Sequence, residues 1–318
     1  MTGLSAGDRV YVAGHRGLVG SAVVRRLERD GRFDIVRRTR AELDLRDASA
    51  VDAFFDLERP DVVVLAAAKV GGILANSTYP AEFALENLQI EVNVIGAAHR
   101  THVRNLLFLG SSCIYPRMAE QPISERSLLT GPLEPTNQPY AIAKIAGVEL
   151  CRTMRRQYGD DFISAMPTNL YGPGDNFSLD TSHVLPALLR KMHEAKVRGD
   201  PEVVVWGSGE PRREFLHVDD AADACVFLLE RDVDVDLVNV GTGDDLTIRA
   251  LAETMADVVG FEGGLRFDTT KPDGTPRKLL DSSALTELGW QARIELRDGI
   301  ASTYAWYLEH EASTAAAR

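Results

Sequence analysis

The stretch that most constrains the fold is Arg9-Val-Tyr-Val-Ala-Gly14-His-Arg-Gly17-Leu-Val-Gly20, followed by an amphipathic run to about Arg29. Apolar, β-prone residues stop at a GxxGxxG loop, and a helical pattern begins inside it. Glycines between strand and helix permit a tight turn. They also let a pyrophosphate approach the helix N-terminus, whose first N–H groups lack partners of their own. Glycine spacing alone is a weak signal; the flanking strand and helix make it specific.

The elements that follow repeat the alternation. Phe33-Asp-Ile-Val is a second strand, and Asp61-Val-Val-Val-Leu-Ala-Ala-Ala is nearly all apolar, as in a strand covered on both faces. A long helix is expected over about Ala81–His102, then a strand at Asn105–Leu109, a helix carrying Tyr140 and Lys144, and a strand at Phe162-Ile-Ser-Ala-Met-Pro. This order predicts an α/β fold, a Rossmann-type doubly wound parallel sheet with ligands at the carboxyl ends of its strands. A smaller C-terminal α/β substrate domain is expected from a helix starting near Ser182-His183, a strand at Glu202–Trp206 and the basic loop Lys271–Lys278. The expected division assigns 1–168 and 213–243 to the nucleotide-binding domain, and 169–212 and 244–318 to the substrate domain. Asp219 or Asp220 is the expected cap of the helix that follows them.

Composition narrows the function. With 45% hydrophobic and 26% charged residues, the chain reads as an ordinary globular protein, and a net charge of −12 argues against a nucleic-acid partner. Cys113, Cys151 and Cys225 show no CxxC or ligand spacing, so neither a disulfide framework nor a metal site is expected. The N-terminal residues lack a basic-then-apolar signal pattern, and Lys69 interrupts the most apolar stretch. A cytoplasmic protein without a membrane partner is the expectation.

The second strand runs into Arg37-Arg38-Thr39-Arg40, where an NAD protein usually carries an acid for the ribose. Guanidinium groups suit a ribose 2′-phosphate, so NADP(H) is the expected cofactor, with Arg16 able to reach the same phosphate. Asp44 is expected near the adenine. Beyond the fourth strand, Ser111-Ser112-Cys113 breaks the apolar run, and Tyr140 precedes Lys144 by one helical turn. An ammonium on the same helix face favours phenolate and lowers the phenol's pKa, while a strand-end serine binds the same carbonyl oxygen. That set suits proton donation to a ketone under reduction.

GxxGxxG, the strand-end serine and YxxxK together resemble the extended short-chain dehydrogenase/reductases that act on nucleotide sugars. AGHRGLVGSA, AAAKVGGILAN, LGSSCIYP, EPTNQPYAIAKIAG, MPTNLYGPGDNF, SHVLPALLRK, VVVWGSG, RREFLHVDD and KPDGTPRKLLD resemble, within them, the GDP-L-fucose synthase family from Arg9 to about Tyr307. The chain departs from that family's pattern at Asp44, where the family carries Asn. The resemblance implies NADPH-dependent epimerisation of carbons 3 and 5 of a GDP-4-keto-6-deoxymannose, then reduction at carbon 4. It implies catalytic Ser111, Cys113, Tyr140, Lys144 and His183, with Cys113 and His183 as the acid/base pair. It implies cofactor contacts from Gly14, Arg16, Gly17, Leu18, Val19, Gly20, Arg40, Asp44, Leu45, Leu109, Gly110, Ser112, Lys144, Pro167, Asn169, Leu170 and His183. For the GDP-sugar it implies Lys191, Trp206, Arg213 and Asp273, and it implies a homodimer. The rivals are an NAD-retaining nucleotide-sugar epimerase or dehydratase of the same superfamily, and a non-catalytic NADP-binding regulatory protein.

Overall fold

A computed structural model describes residues 3–312 except Asp180, Asp232 and Pro272. Strands β1 (Arg9–Ala13), β2 (Asp34–Val36), β3 (Val62–Leu65), β4 (Asn105–Leu109) and β5 (Asp161–Pro167) join the strand Leu237–Val240 in one six-stranded sheet. Every pairing in it is parallel, in the order β2-β1-β3-β4-β5 and then Leu237–Val240. The chain reverses its direction of winding between β1 and β3. That is the switch point at which such sheets bind ligands, outside the carboxyl ends of the strands.

Period-two alternation fills both faces of the sheet. Val10, Val12, Val62, Val64 and Leu107 pack with α1 (Leu18–Asp30) and the helix Val218–Leu229 on one side. Tyr11, Val63, Leu65, Leu106 and Phe108 pack on the other side with α2 (Ala48–Glu58), α4 (Pro80–Arg100) and α5 (Gln138–Tyr158). The short helix α3 (Ile73–Thr78) lies between β3 and α4 in the chain. Each aliphatic side chain buried this way contributes about 1.5–3 kcal/mol, so the β3 run alone commits the sheet to two covering layers. Local signals end the helices: α1 and α5 stop at Gly31 and Gly159, both left-handed, and α4 stops at Arg100 shortly before His102 at φ 58°.

A third core lies outside that sheet. The helices Val184–Arg198, Ile248–Val259 and Leu296–His310 bury Leu185, Leu188, Leu189, Leu251, Met255 and Tyr307 against the parallel strands Glu202–Trp206 and Gly264–Asp268. A small sheet joins Leu246–Thr247, Arg212–Arg213 and Arg277–Lys278.

One capping expectation is corrected. The helix Val218–Leu229 is capped by His217, whose Nδ1 accepts from the Asp219 N–H at 3.2 Å. Asp219 and Asp220 fall inside its first turn and are held by tertiary contacts instead. Asp219 pairs with Arg25 at 2.6 Å, and Asp220 accepts from the N–H groups of Arg293 and Ile294 at 3.0 and 2.8 Å.

Candidate active site

The glycine loop is shaped by contacts that a side chain would destroy. Gly14 has φ 85°, and a Cβ there would lie 2.7 Å from the Ala67 nitrogen, while a Cβ on Gly20 would overlap the Gly14 carbonyl. Gly17 caps α1 without any side-chain hydrogen bond, which leaves the first turn, Leu18 and Val19 included, open to an anion. At the end of β2, Arg37 pairs with Glu28 at 2.8 Å and Arg38 pairs with Glu58. Arg16 is exposed and Arg40 is 67% exposed, with only loose approaches to Asp44 (3.9 Å) and Glu86 (3.6 Å). The donor set fits a phosphorylated dinucleotide: two accessible guanidiniums flank a side-chain-free helix N-terminus. Asp44, expected at the adenine, is bound by Arg46 at 2.5 Å, which holds its pKa down to about 2. Leu45 is fixed beside it by Asn93, whose amide donates to the Leu45 carbonyl at 2.9 Å.

Beyond β4 the ladder makes one last bond, Gly110 N–H to the Ala165 carbonyl at 3.0 Å, and the chain turns away. A Cβ on Gly110 would meet the end of the Met166 side chain, which would have to shift to make room. Ser111 caps a short 3₁₀ turn, Ser112–Ile114, by accepting from the Cys113 N–H at 3.4 Å. Ser112 and Cys113 are buried. Ser111 also acts on the Tyr140 phenol and the Cys113 thiol, favouring the ionised form of each. Phe83 of α4 packs edge-on against the Tyr140 ring at 6.2 Å. Pro167 and Asn169 leave the end of β5, where the Asn169 amide donates to the Glu214 carbonyl at 2.8 Å and Leu170 continues a short strand.

Lys144 departs from its expected role. Its ammonium donates to the Leu109 carbonyl at 3.1 Å, pairs with Glu91 at 3.2 Å, and stands 5.9 Å from the Tyr140 ring centroid. Tyr140 is accordingly pushed well above the ordinary phenol value, by burial first, then by Cys113 and Glu91. The expected lowering is absent because burial of the phenol dominates, with Cys113 and Glu91 adding to it and only Ser111 opposing. Cys113 is likewise raised by burial, against the opposing pull of Lys278, Ser111 and Lys144. His183 precedes the helix Val184–Arg198, its ring still accessible to solvent, and burial plus the Lys278 charge push it below 6.5.

Lys278 is the residue that sequence reasoning left inside a basic loop. Its charge couples to Cys113, Arg213, Glu134 and His183. Strand register explains the placement. Arg277 pairs with Arg212 and Lys278 with Arg213 in parallel strands, so each pair shares a face. Arg212 and Arg277 both turn to Asp245, at 2.7 and 2.5 Å, and the other two lie on the opposite face of the pair. Period two was the available signal, but it becomes readable only once the pairing is known.

The remaining substrate candidates gather at the far side. Trp206 is 59% exposed, with the ammonium groups of Lys191 and Lys271 at 5.2 and 5.3 Å from its ring centroid. Asp273 accepts from the Ser208 N–H and hydroxyl at 2.7 and 2.8 Å, tying the turn after Trp206 to the basic loop. A groove of about 930 Å³ lined by Pro116, Met118, Arg126, Leu133 and Asp281 includes none of these groups.

Residues 10–241 match the model of the NAD dependent epimerase/dehydratase family. The chain is 62% identical over 302 residues to GDP-L-fucose synthase 1 of Arabidopsis thaliana, covering 95% of this chain and 94% of that protein. The chain belongs to this family, in its GDP-L-fucose synthase branch. Another branch member, GDP-L-fucose synthase of Escherichia coli K12, is 59% identical over 96% of this chain and 98% of its own. Among solved structures, a GDP-L-fucose synthetase from Naegleria fowleri bound to NADP superimposes with a TM-score of 0.89 at 30% identity, covering 96% of each chain. Among the described residues, no His, Cys, Asp and Glu cluster is arranged to hold a metal, and no helix is long and apolar enough to cross a membrane.

Proposed function

We propose that this protein converts GDP-4-keto-6-deoxy-D-mannose to GDP-L-fucose, inverting carbons 3 and 5 and then reducing the carbon-4 ketone with NADPH. One observation carries the reading. Cys113 and His183 share the charge of Lys278 in the cleft where Ser111 meets Tyr140. A ketone reductase has use for Ser111, Tyr140 and Lys144; a thiol and an imidazole in addition suit proton exchange at the carbons beside the ketone.

In the first step the Cys113 thiolate removes a ring proton, the electrons pass into the ketone as an enolate, and the His183 imidazolium returns a proton to the opposite face. Ser111 and Tyr140 donate to the enolate oxygen; a donor in such a position is typically worth about 10²–10³ in rate. Epimerisation precedes reduction because the ketone is what acidifies its neighbours. Bound NADPH supplies the hydride for carbon 4. Tyr140 then gives its proton to the new alkoxide, with the Lys144 charge beside it. Arg213, Lys191 and Lys271 supply cations for the diphosphate, Trp206 a face for guanosine or ribose, and Asp273 an acceptor.

The reading extends to residues 1–168 and 213–243 as cofactor domain and 169–212 and 244–318 as substrate domain. It also extends to isomerase as well as oxidoreductase activity, and to a cytoplasmic homodimer built on α4 and α5. Leu85 and Val92 of α4, and Ile142 and Tyr158 of α5, are 48–59% exposed, which supports a partner surface there. The deciding experiment supplies GDP-4-keto-6-deoxy-D-mannose and NADPH and identifies the product by NMR. GDP-L-fucose with matching NADPH oxidation is expected; reduction without inversion would leave a simple ketoreductase and remove the roles of Cys113 and His183.

A further inference from the structure

Phe83, Asn87 and Glu91 follow at four-residue spacing on α4 and form one buried stripe facing the site. Phe83 meets the Tyr140 ring. Asn87 clamps the loop after β3, accepting from the Lys69 N–H at 2.8 Å and donating to the Lys69 carbonyl at 3.0 Å. Glu91 meets Lys144. Its Oε1 lies 3.2 Å from the ammonium, and both side chains are 2% exposed. Among the described residues, neither Glu91 oxygen has a hydrogen-bond partner of good geometry. The pair fits because α5 carries Gly147, where a Cβ would lie 3.0 Å from Glu91 Oε2 and 2.5 Å from the Phe108 ring. A carboxylate buried this deeply, without backbone or hydroxyl donors, is costly unless an opposite charge lies against it. Its placement serves no cap, turn or strand ladder, and its one strong contact is Lys144.

We propose that Glu91 is a positioning residue for the reduction: its carboxylate anchors the Lys144 ammonium in the α4–α5 seam beside Tyr140. The inference rests on the roles given to Tyr140 and Lys144 under the proposed function. The other titratable groups facing Glu91 come from α5, namely Tyr140 and Cys151, and its negative charge raises both. Its own helix contributes the neutral Asn87. β4 presents Phe108, whose ring centroid is 4.7 Å from the Lys144 ammonium. Burial raises the Glu91 carboxyl above its ordinary value, and the Lys144 charge opposes that rise.

Deleting the charge removes one of the contributions that raise the Tyr140 phenol, after burial and Cys113, so Tyr140 loses its proton at lower pH. The alkaline limb of the reduction, where the proton donor is lost, moves towards neutrality. An adjacent unit charge shifts a pKa by roughly 1–3 units.

The test uses Glu91→Gln and Glu91→Asp, with single-turnover NADPH oxidation followed against pH and solvent-deuterium exchange at carbons 3 and 5 followed by NMR. Glu91→Gln is expected to lower the alkaline limb by about one unit or more while exchange persists. Glu91→Asp, which keeps the charge, is expected to retain the parent profile. Superimposable profiles for Glu91→Gln and the parent would overturn the proposal, as would parallel losses of exchange and reduction, which mark a packing role alone. Tyr140→Phe and Lys144→Met serve as controls: if they leave reduction intact, the underlying assignment fails rather than the role of Glu91. A spectroscopic readout stands even if Glu91→Gln does not fold. Asp175, Glu125 and Glu214 are raised by burial as well, so the readout is the infrared difference spectrum: Lys144→Met should gain a protonated-carboxyl band over the parent, and identical spectra would refute the charged pair.

Discussion

Cys113 and His183 are pushed in opposite directions by the same surroundings. The thiol rises above its ordinary 9.0 and the imidazole falls below 6.5, so at neutral pH the pair holds one proton, and holds it on sulfur. The reactive form, thiolate with imidazolium, contains the same number of protons. Its share is therefore independent of pH between the two limits, and exchange at carbons 3 and 5 should run on a plateau beginning below pH 6.5 and ending above pH 9. Lys278→Met removes a positive charge that favours thiolate and disfavours imidazolium. Both limbs should then move to higher pH, which exchange rates measured from acid to alkali would reveal; an unmoved profile would dismiss Lys278 as their partner. Cys113→Ser should suppress exchange, and Tyr140→Phe, which removes the proton donor of one step and one of two enolate donors of the other, should slow reduction by about 10²–10⁴ and exchange by less. Tyr140, Lys144 and Cys113 could be nominated from spacing and motif. Their protonation states could not, because burial and the Glu91 charge come from elements distant in the chain.

At the scale of elements, Glu214 joins the two halves of the cleft. It is fully buried in the short segment between the Arg212–Arg213 strand and Phe215–His217. Its Oε1 accepts from the Thr242 and Gly243 N–H groups at 2.7 and 2.9 Å, and its Oε2 from the Leu280 N–H at 3.0 Å. The loop after Leu237–Val240 and the strand carrying Lys278 thus hang on one carboxylate. Glu214→Gln would turn an amide N–H towards one of these donors and cost about 1–3 kcal/mol. The expected result is a lower melting temperature with NADPH binding retained, since the glycine loop lies elsewhere, and weakened exchange as Lys278 loses its support. A melting temperature equal to the parent's would contradict this account. The sequence shows Glu214 as one acid in a basic-apolar run, and no local pattern marks it as the point where three segments meet.

At the scale of the molecule, α4 and α5 lie against each other with apolar side chains left on their outer surface. Val92→Glu, at a side chain 56% exposed, should leave the fold intact and halve the mass seen by light scattering if these helices form the dimer contact. An unchanged mass would move the interface elsewhere.

The architecture was legible because its signals are local. Apolar strands, glycine-ended helices and a glycine loop recur in order, and period two or 3.6 decides which side chains face the core. The sequence by itself therefore determined the parallel sheet, the dinucleotide cleft and the positions of Ser111, Tyr140 and Lys144. Contacts between distant segments decided the rest: Lys278 beside Cys113 through strand register, Trp206 outside the core, His217 rather than an aspartate as cap, and Glu91 against Lys144. The reason is physical. Electrostatic and burial energies depend on distance in space, and residues 53 positions apart, as Glu91 and Lys144 are, become neighbours only when the helices pack.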